Sequence, residues 1–169
     1  MAKATKTVTS WVPDPSFSPW SVPGFKLPAS DGTIVSDRDL KGHWTVLFLY
    51  PTDDTPTCTK EACAFSDSYL KFKALGAKLY GLSKDTLKDH GKFAAKYGLK
   101  MPLLSDESTE TIAAFGSWGE KSLYGRTYMG TDRSTFIIDP EGMVRAEWRK
   151  VRTNGHVEAV LSALETLLT

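Results

Sequence analysis

Cysteine and histidine are scarce in this chain: two cysteines and three histidines occur among 169 residues. Two cysteines cannot build a disulfide framework, and a chain of this size does not need one. The histidines, His43, His90 and His156, stand at no compact ligand spacing from the cysteines, so a zinc site is not expected and no metal or organic cofactor is implied. Net charge is nearly absent as well. Lys and Arg total 21 against 20 Asp and Glu, a formal +1, which gives no global field for a polyanion or an anionic membrane. No apolar run approaches the length of a membrane span. The start carries Lys3 and Lys6 without a signal-peptide core. Cytoplasmic location is the expectation, with the remnant of an organelle transit peptide as the other reading of an acid-free, Lys/Thr/Ser-rich start. Repeats and low-complexity tracts are also missing. With 41% hydrophobic and 24% charged residues, the composition is that of an ordinary globular chain able to bury one core.

The segment 1–22 is expected to be a proline-rich arm and 23–169 the folded domain. Pro13, Pro15, Pro19, Pro23 and Pro28 interrupt any regular element early in the chain. The arm should lie over the domain, anchored by Trp11, Phe17 and Trp20. Asp31-Gly32 then separates two short extended pieces, Phe25–Leu27 and Thr33–Val35. Thr45 to Tyr50 is a continuous apolar run stopped by Pro51, as expected of a strand covered on both faces. From Cys58 to Leu75, apolar residues recur at steps of three and four and predict one amphipathic helix ending near Gly76.

An α/β rhythm follows: a strand at 77–82, a helix at 86–97, a strand at 101–104 and a short helix at 108–115. Thr135–Ile138 and Met143–Trp148 flank the turn signal Asp139-Pro140-Glu141-Gly142 and predict a hairpin. In its second strand, Val144, Ala146 and Trp148 alternate with Arg145, Glu147 and Arg149. This assigns the basic residues Arg145, Arg149, Lys150 and Arg152 to a solvated face rather than to a nucleic-acid surface. A last helix, His156–Leu168, presents one apolar face to a sheet. The fold class is α/β, a central mixed sheet flanked by helices.

Both cysteines, Cys58 and Cys63, fall in one short segment. A thiol is an effective nucleophile only as thiolate, and a free thiol is mostly protonated at neutral pH. Cys58 lies where a loop enters a helix, so unpaired backbone N–H groups and the positive helix end favour its anion. Cys63 lies further in, beyond that field. The preceding loop runs Pro51-Thr52-Asp53-Asp54-Thr55-Pro56-Thr57. Pro51 fixes its exit from the strand, and Thr55, three residues before the thiol, can face both the sulfur and a bound oxygen. Thr55 also suits a helix cap. Glu61, in the first helical turns, would complement the dipole or orient an arginine.

The pattern PxxxTxxC after an apolar strand, with Glu61 following, resembles the peroxiredoxin active-site segment. Cys63, five residues on, is similar to the pattern of the peroxiredoxin Q, or bacterioferritin-comigratory, subgroup. Arg133-Ser134-Thr135-Phe136-Ile137-Ile138-Asp139 resembles the family's later arginine-containing strand. The resemblance implies a thioredoxin-like fold and a peroxidase for hydrogen peroxide and organic hydroperoxides. It implies Cys58 as the peroxidatic and Cys63 as the resolving cysteine, with Pro51, Thr55 and Arg133 completing the pocket. It also implies thioredoxin or a similar dithiol protein as reductant, and a monomer. The other reading of the cysteine pair is a disulfide oxidoreductase or redox-responsive binding protein. The five-residue spacing disfavours it, since exchange centres usually have two intervening residues.

An intramolecular disulfide carries a geometric condition. Five residues of α-helix separate Cα atoms by roughly 8.7 Å, whereas a disulfide needs about 4.4 to 6.8 Å. If both cysteines are helical when reduced, the helix must unwind locally before the bond can close.

Overall fold

A computed structural model describes residues 11–169; Lys3 and Lys6 lie outside the described residues. The frame is a six-stranded mixed sheet in the order β1-β10-β9-β4-β5-β6. Its strands are β1 (Trp20–Ser21), β4 (Trp44–Leu49), β5 (Ala77–Ser83), β6 (Leu103–Ser105), β9 (Ser134–Ile138) and β10 (Met143–Arg149). β4 pairs in parallel with β5 and β5 with β6, while β4–β9, β9–β10 and β10–β1 are antiparallel. Two hairpins stand outside this sheet: β2 (Lys26–Pro28) with β3 (Ile34–Ser36), and β7 (Trp118–Leu123) with β8 (Arg126–Thr131). The helices are α1 (Pro56–Asp67), α2 (Tyr69–Ala74), α3 (Leu87–Tyr97), α4 (Glu110–Ala114) and α5 (His156–Leu168).

The uninterrupted apolar run of β4 is explained by its place inside the sheet. Val46 and Phe48 enter one core with Phe65, Phe72, Phe93, Val160 and Leu164. Leu47 and Leu49 enter a second core with Phe25, Leu27, Ile112, Phe115 and Phe136. Both faces of the strand are therefore dry, and no polar alternation can appear. β5 packs equally closely at Gly81, where an added Cβ would lie 2.8 Å from Leu103 Cδ2 and 2.9 Å from Phe48 Cζ; only glycine fits there.

The structure departs from the sequence pattern in three places. The helix expected from Cys58 to Leu75 is two helices, broken at Ser68 (φ −100°, ψ 6°). The polar run Ser66-Asp67-Ser68 weakens the helix where its side chains compete for backbone partners, and Ser66 Oγ accepts from the Lys100 amide at 2.9 Å. Second, the alternation in β10 is interrupted by a register shift between Val144 and Ala146. Val144 therefore faces the second core and Ala146 the first. Arg149 is exposed, as expected of a solvated face, yet its guanidinium also lies 4.9 Å from the Phe136 ring centroid and donates to the Phe115 carbonyl at 2.7 Å. Third, the β7–β8 hairpin was not expected. Its turn residues Tyr124 and Gly125 both have positive φ, 51° and 77°, the conformation of a tight two-residue turn, but tyrosine is not a usual signal for it.

The expected arm anchors are packed: Trp11 against the first core, Phe17 and Trp20 against the second. Trp20 lies in β1, at the edge of the main sheet, and its indole N–H donates to Glu147 Oε1 at 2.8 Å. Among the described residues no helix is long and apolar enough to cross a membrane.

Candidate active site

The carboxyl end of β4 and the start of α1 bring the site together. Tyr50 and Pro51 leave the strand, Pro56 occupies the first turn of α1, and Thr55 is its N-cap residue. Proline at that position suits a helix start because its missing N–H would have no intrahelical partner. Cys58 then falls within the first turn, where backbone N–H groups have no partner inside the helix. The inward stripe of α1 is Cys58, Glu61, Ala62 and Phe65, the three- and four-residue spacing of one helix face.

Cys58 is 2% exposed and Cys63 is half-buried; both are free thiols. Five residues turn a helix by about 140°, which carries Cys63 off the stripe that holds Cys58. Burial, aided by the charge of Asp67, pushes the Cys63 thiol up from its ordinary range. The condition for local unwinding is met, since both cysteines lie inside one continuous helix.

Arg133, just before β9, reaches across to α1. Its Nη2 donates to Cys58 Sγ at 3.3 Å and its Nη1 to Glu61 Oε1 at 2.7 Å. One guanidinium thus joins the sulfur to a carboxylate 1% exposed, and the fork geometry fixes its plane. Burial pushes the Glu61 carboxyl up to about 7, with Arg133 opposing the rise. Glu61 Oε2 has no protein partner among the described residues. On the other side His156 is buried against Phe65 and Trp148 and shares a 2.8 Å hydrogen bond with Thr135 Oγ1. Burial, reinforced by the Arg133 charge, lowers its pKa to about 4. His156 is therefore neutral at physiological pH and adds no second cation beside Arg133.

Thr55 is at the cap position but makes no side-chain capping bond. Its hydroxyl donates to the Thr52 carbonyl at 3.1 Å, leaving the oxygen lone pairs as acceptors. Pro51 is half-buried, and its carbonyl accepts from Lys84 Nζ at 3.1 Å. Thr57, adjacent to the cysteine, is exposed.

Sequence reasoning missed a second cluster, formed where α3 and the end of β5 meet the same loop: Asp53, Asp85 and His90, whose polar atoms lie within 4.8 Å of one another. Its members are separated by up to 37 residues, so no local pattern reveals it.

Comparison with known proteins shows the family. The AhpC/TSA family model matches residues 21–147. A putative peroxiredoxin bcp of Coxiella burnetii is 43% identical over 142 residues, covering 84% of this chain and 94% of that protein. Peroxiredoxin Bcp of Bacillus subtilis is 43% identical over 145 residues, covering 86% and 92%. Among solved structures, a peroxiredoxin Q of Xanthomonas campestris superposes with a TM-score of 0.82 at 42% identity, covering 86% of this chain and 92% of that one. A second structure of that organism's bacterioferritin comigratory protein, described for its alkyl peroxide reduction activity, gives 0.82 at 41% identity, covering 86% and 92%. The mixed sheet with flanking helices is the thioredoxin-like fold of those structures, and the chain belongs to the AhpC/TSA family as a peroxiredoxin of the peroxiredoxin Q, or bacterioferritin-comigratory, subgroup.

Proposed function

We propose that the protein reduces hydrogen peroxide and organic hydroperoxides through Cys58, with Cys63 resolving the product as an intramolecular disulfide. The observation that carries this reading is the Arg133 guanidinium, held by buried Glu61 and placed 3.3 Å from a nearly buried sulfur at a helix start. A sulfur 2% exposed suits a small oxidant better than direct exchange with a protein disulfide. That favours peroxide turnover over the disulfide-oxidoreductase alternative.

The thiolate of Cys58 attacks one peroxide oxygen; an S–O bond forms as the O–O bond breaks, and the leaving alkoxide or hydroxide takes up a proton. Sulfur is oxidised to the sulfenic acid and the peroxide is reduced to an alcohol or water. Arg133 stabilises the starting thiolate, then follows the negative charge onto the departing oxygen. Thr55, whose own proton is committed to Thr52, acts as an acceptor for the peroxide O–H. The substrate is therefore a hydroperoxide, since a dialkyl peroxide has no proton to offer. The Cys63 thiol then attacks the Cys58 sulfenic sulfur, releasing water and forming the disulfide. An external dithiol of the thioredoxin type regenerates both thiols.

Residues 23–169 form the catalytic domain in this reading and 1–22 the arm; the packing of Trp11, Phe17 and Trp20 supports a structural role for the described part of that arm. A single intramolecular cycle needs no second subunit. The test is the rate of peroxide consumption with a dithiol reductant in wild type and in Cys58→Ser. Consumption far above that of a free thiol, lost in the variant, is the expected result, and equal rates would refute it.

A further inference from the structure

The loop that carries Pro51 and Thr55 is held by contacts to which the cysteine chemistry contributes nothing. His90 is 0% exposed. Its Nδ1 lies 2.7 Å from Asp53 Oδ2 and its Nε2 2.9 Å from the Leu104 carbonyl oxygen. A carbonyl has no proton to give, so Nε2 must donate. The Nδ1–Oδ2 contact is short enough to hold a second proton. Asp53 is itself saturated: its Oδ1 accepts from the Tyr50 hydroxyl at 2.6 Å, and its amide donates to Asp85 Oδ2 at 2.9 Å. Both ring nitrogens are engaged, which argues against reading Asp53, Asp85 and His90 as a metal site.

The rest of the loop is tied to the same side of the molecule. Lys84 Nζ reaches the Pro51 carbonyl, and Lys96 Nζ and the Tyr97 hydroxyl each reach an Asp54 carboxylate oxygen at 2.8 Å. Asp54 has φ 58°, a left-handed conformation that aspartate tolerates better than most residues. The loop thus hangs on β5, β6 and α3, whereas Cys58 on α1 is held from β9 through Arg133. Unwinding the first turns of α1 releases the second attachment and leaves the first intact.

We propose that His90 is a buried imidazolium whose ion pair with Asp53 is a positioning device for the active-site loop, keeping Pro51 and Thr55 in place while α1 winds and unwinds. The ionisable groups facing the ring are Asp53 on the loop, Tyr50 at the end of β4 and Asp85 between β5 and α3; β6 contributes only a carbonyl. Burial opposes the ring's charge, but the hydrogen bond and charge of Asp53 outweigh it and raise the pKa above its ordinary value. The pairing is therefore complete below about pH 6.5 and is lost as pH rises through the raised value.

The kinetic part of this inference rests on the peroxidase reading; the protonation part does not. Nitrogen-detected NMR of the reduced full-length protein at neutral pH should show both His90 ring nitrogens protonated. In His90→Gln and Asp53→Asn, the amide of residue 53, which donates to Asp85 Oδ2, should lose exchange protection while β4 keeps it. Oxidation of Cys58 should slow about tenfold in both variants, the scale expected when a reacting group is misplaced. Raising the pH of wild type through the ring titration should give the same loss of loop protection, a step missing from His90→Gln. Asp53→Asn keeps the size and one acceptor oxygen of a side chain that is 6% exposed, so it serves if His90→Gln fails to fold. A neutral ring in wild type would overturn the proposal. So would a protected loop with normal Cys58 oxidation in either folded variant. If the loop loosens as expected but wild type is no faster than a free thiol, the peroxidase reading fails and the ion pair stands.

Discussion

In the proposed mechanism Arg133 is the residue on which the chemistry turns, because one guanidinium reaches both Cys58 Sγ and Glu61 Oε1. A lysine offers a single nitrogen and cannot span them. Arg133→Lys should slow Cys58 oxidation by about two orders of magnitude, the usual cost of removing one preorganised donor, measured by single-turnover mixing with peroxide. Glu61 acts by orienting Arg133, so Glu61→Gln, which keeps an acceptor oxygen, should retain a rate within about threefold of wild type. Glu61→Ala, which leaves the guanidinium loose in a cavity, should lose about tenfold or more. Equal rates in the two variants would remove the orienting role. The Cys58, Glu61 and Thr55 positions were legible in sequence because they lie within one loop and two helical turns. Arg133 was legible only through the resemblance, since nothing in its local sequence marks it. The Asp53–His90 pair was invisible, because 37 residues separate its members and only the fold brings α3 over the loop.

At the scale of elements, the proposed cycle places conflicting demands on α1. This segment presents Cys58 to Arg133 only while helical, and the disulfide to Cys63 closes only when it is not. Oxidation should therefore lower amide-exchange protection across residues 56–63, while β4, dry on both faces, keeps its own. Indistinguishable protection in the two redox forms would contradict this. Cys63→Ser, which cannot form the disulfide, should keep the protected helix after exposure to peroxide. Elements with a strong period were legible: α5 by its repeating apolar face and β4 by its uniform one. The break at Ser68 and the β7–β8 hairpin were not. A three-residue polar stretch interrupts a helix without disturbing its apolar spacing, and the hairpin strands are largely exposed, leaving little apolar alternation to read.

For the whole molecule, the buried neutral His156 links stability to pH. Its folded pKa of about 4 lies below the ordinary value of 6.5, so the unfolded chain binds the proton first. Stability is then lost as pH falls from about 6.5 towards 4. Glu61 acts in the opposite sense, its folded pKa of about 7 lying above 4.5, so only a comparison of variants isolates the histidine. His156→Gln should flatten the fall between pH 6.5 and 4.5 by about 2 kcal/mol, read from urea unfolding midpoints at the two pH values. An unchanged slope would mean that His156 is charged in the folded protein.

In the proposed cycle Cys58 is oxidised by peroxide and Cys63 resolves it within one chain. Stopped-flow tryptophan fluorescence of the reduced protein mixed with peroxide tests it most directly, with Cys58→Ser and Cys63→Ser run alongside. Fast oxidation is expected in wild type and none in Cys58→Ser. In Cys63→Ser a sulfenic acid should form without going on to the disulfide. Rapid peroxide consumption by Cys58→Ser, or a wild type no faster than a free thiol, would contradict it.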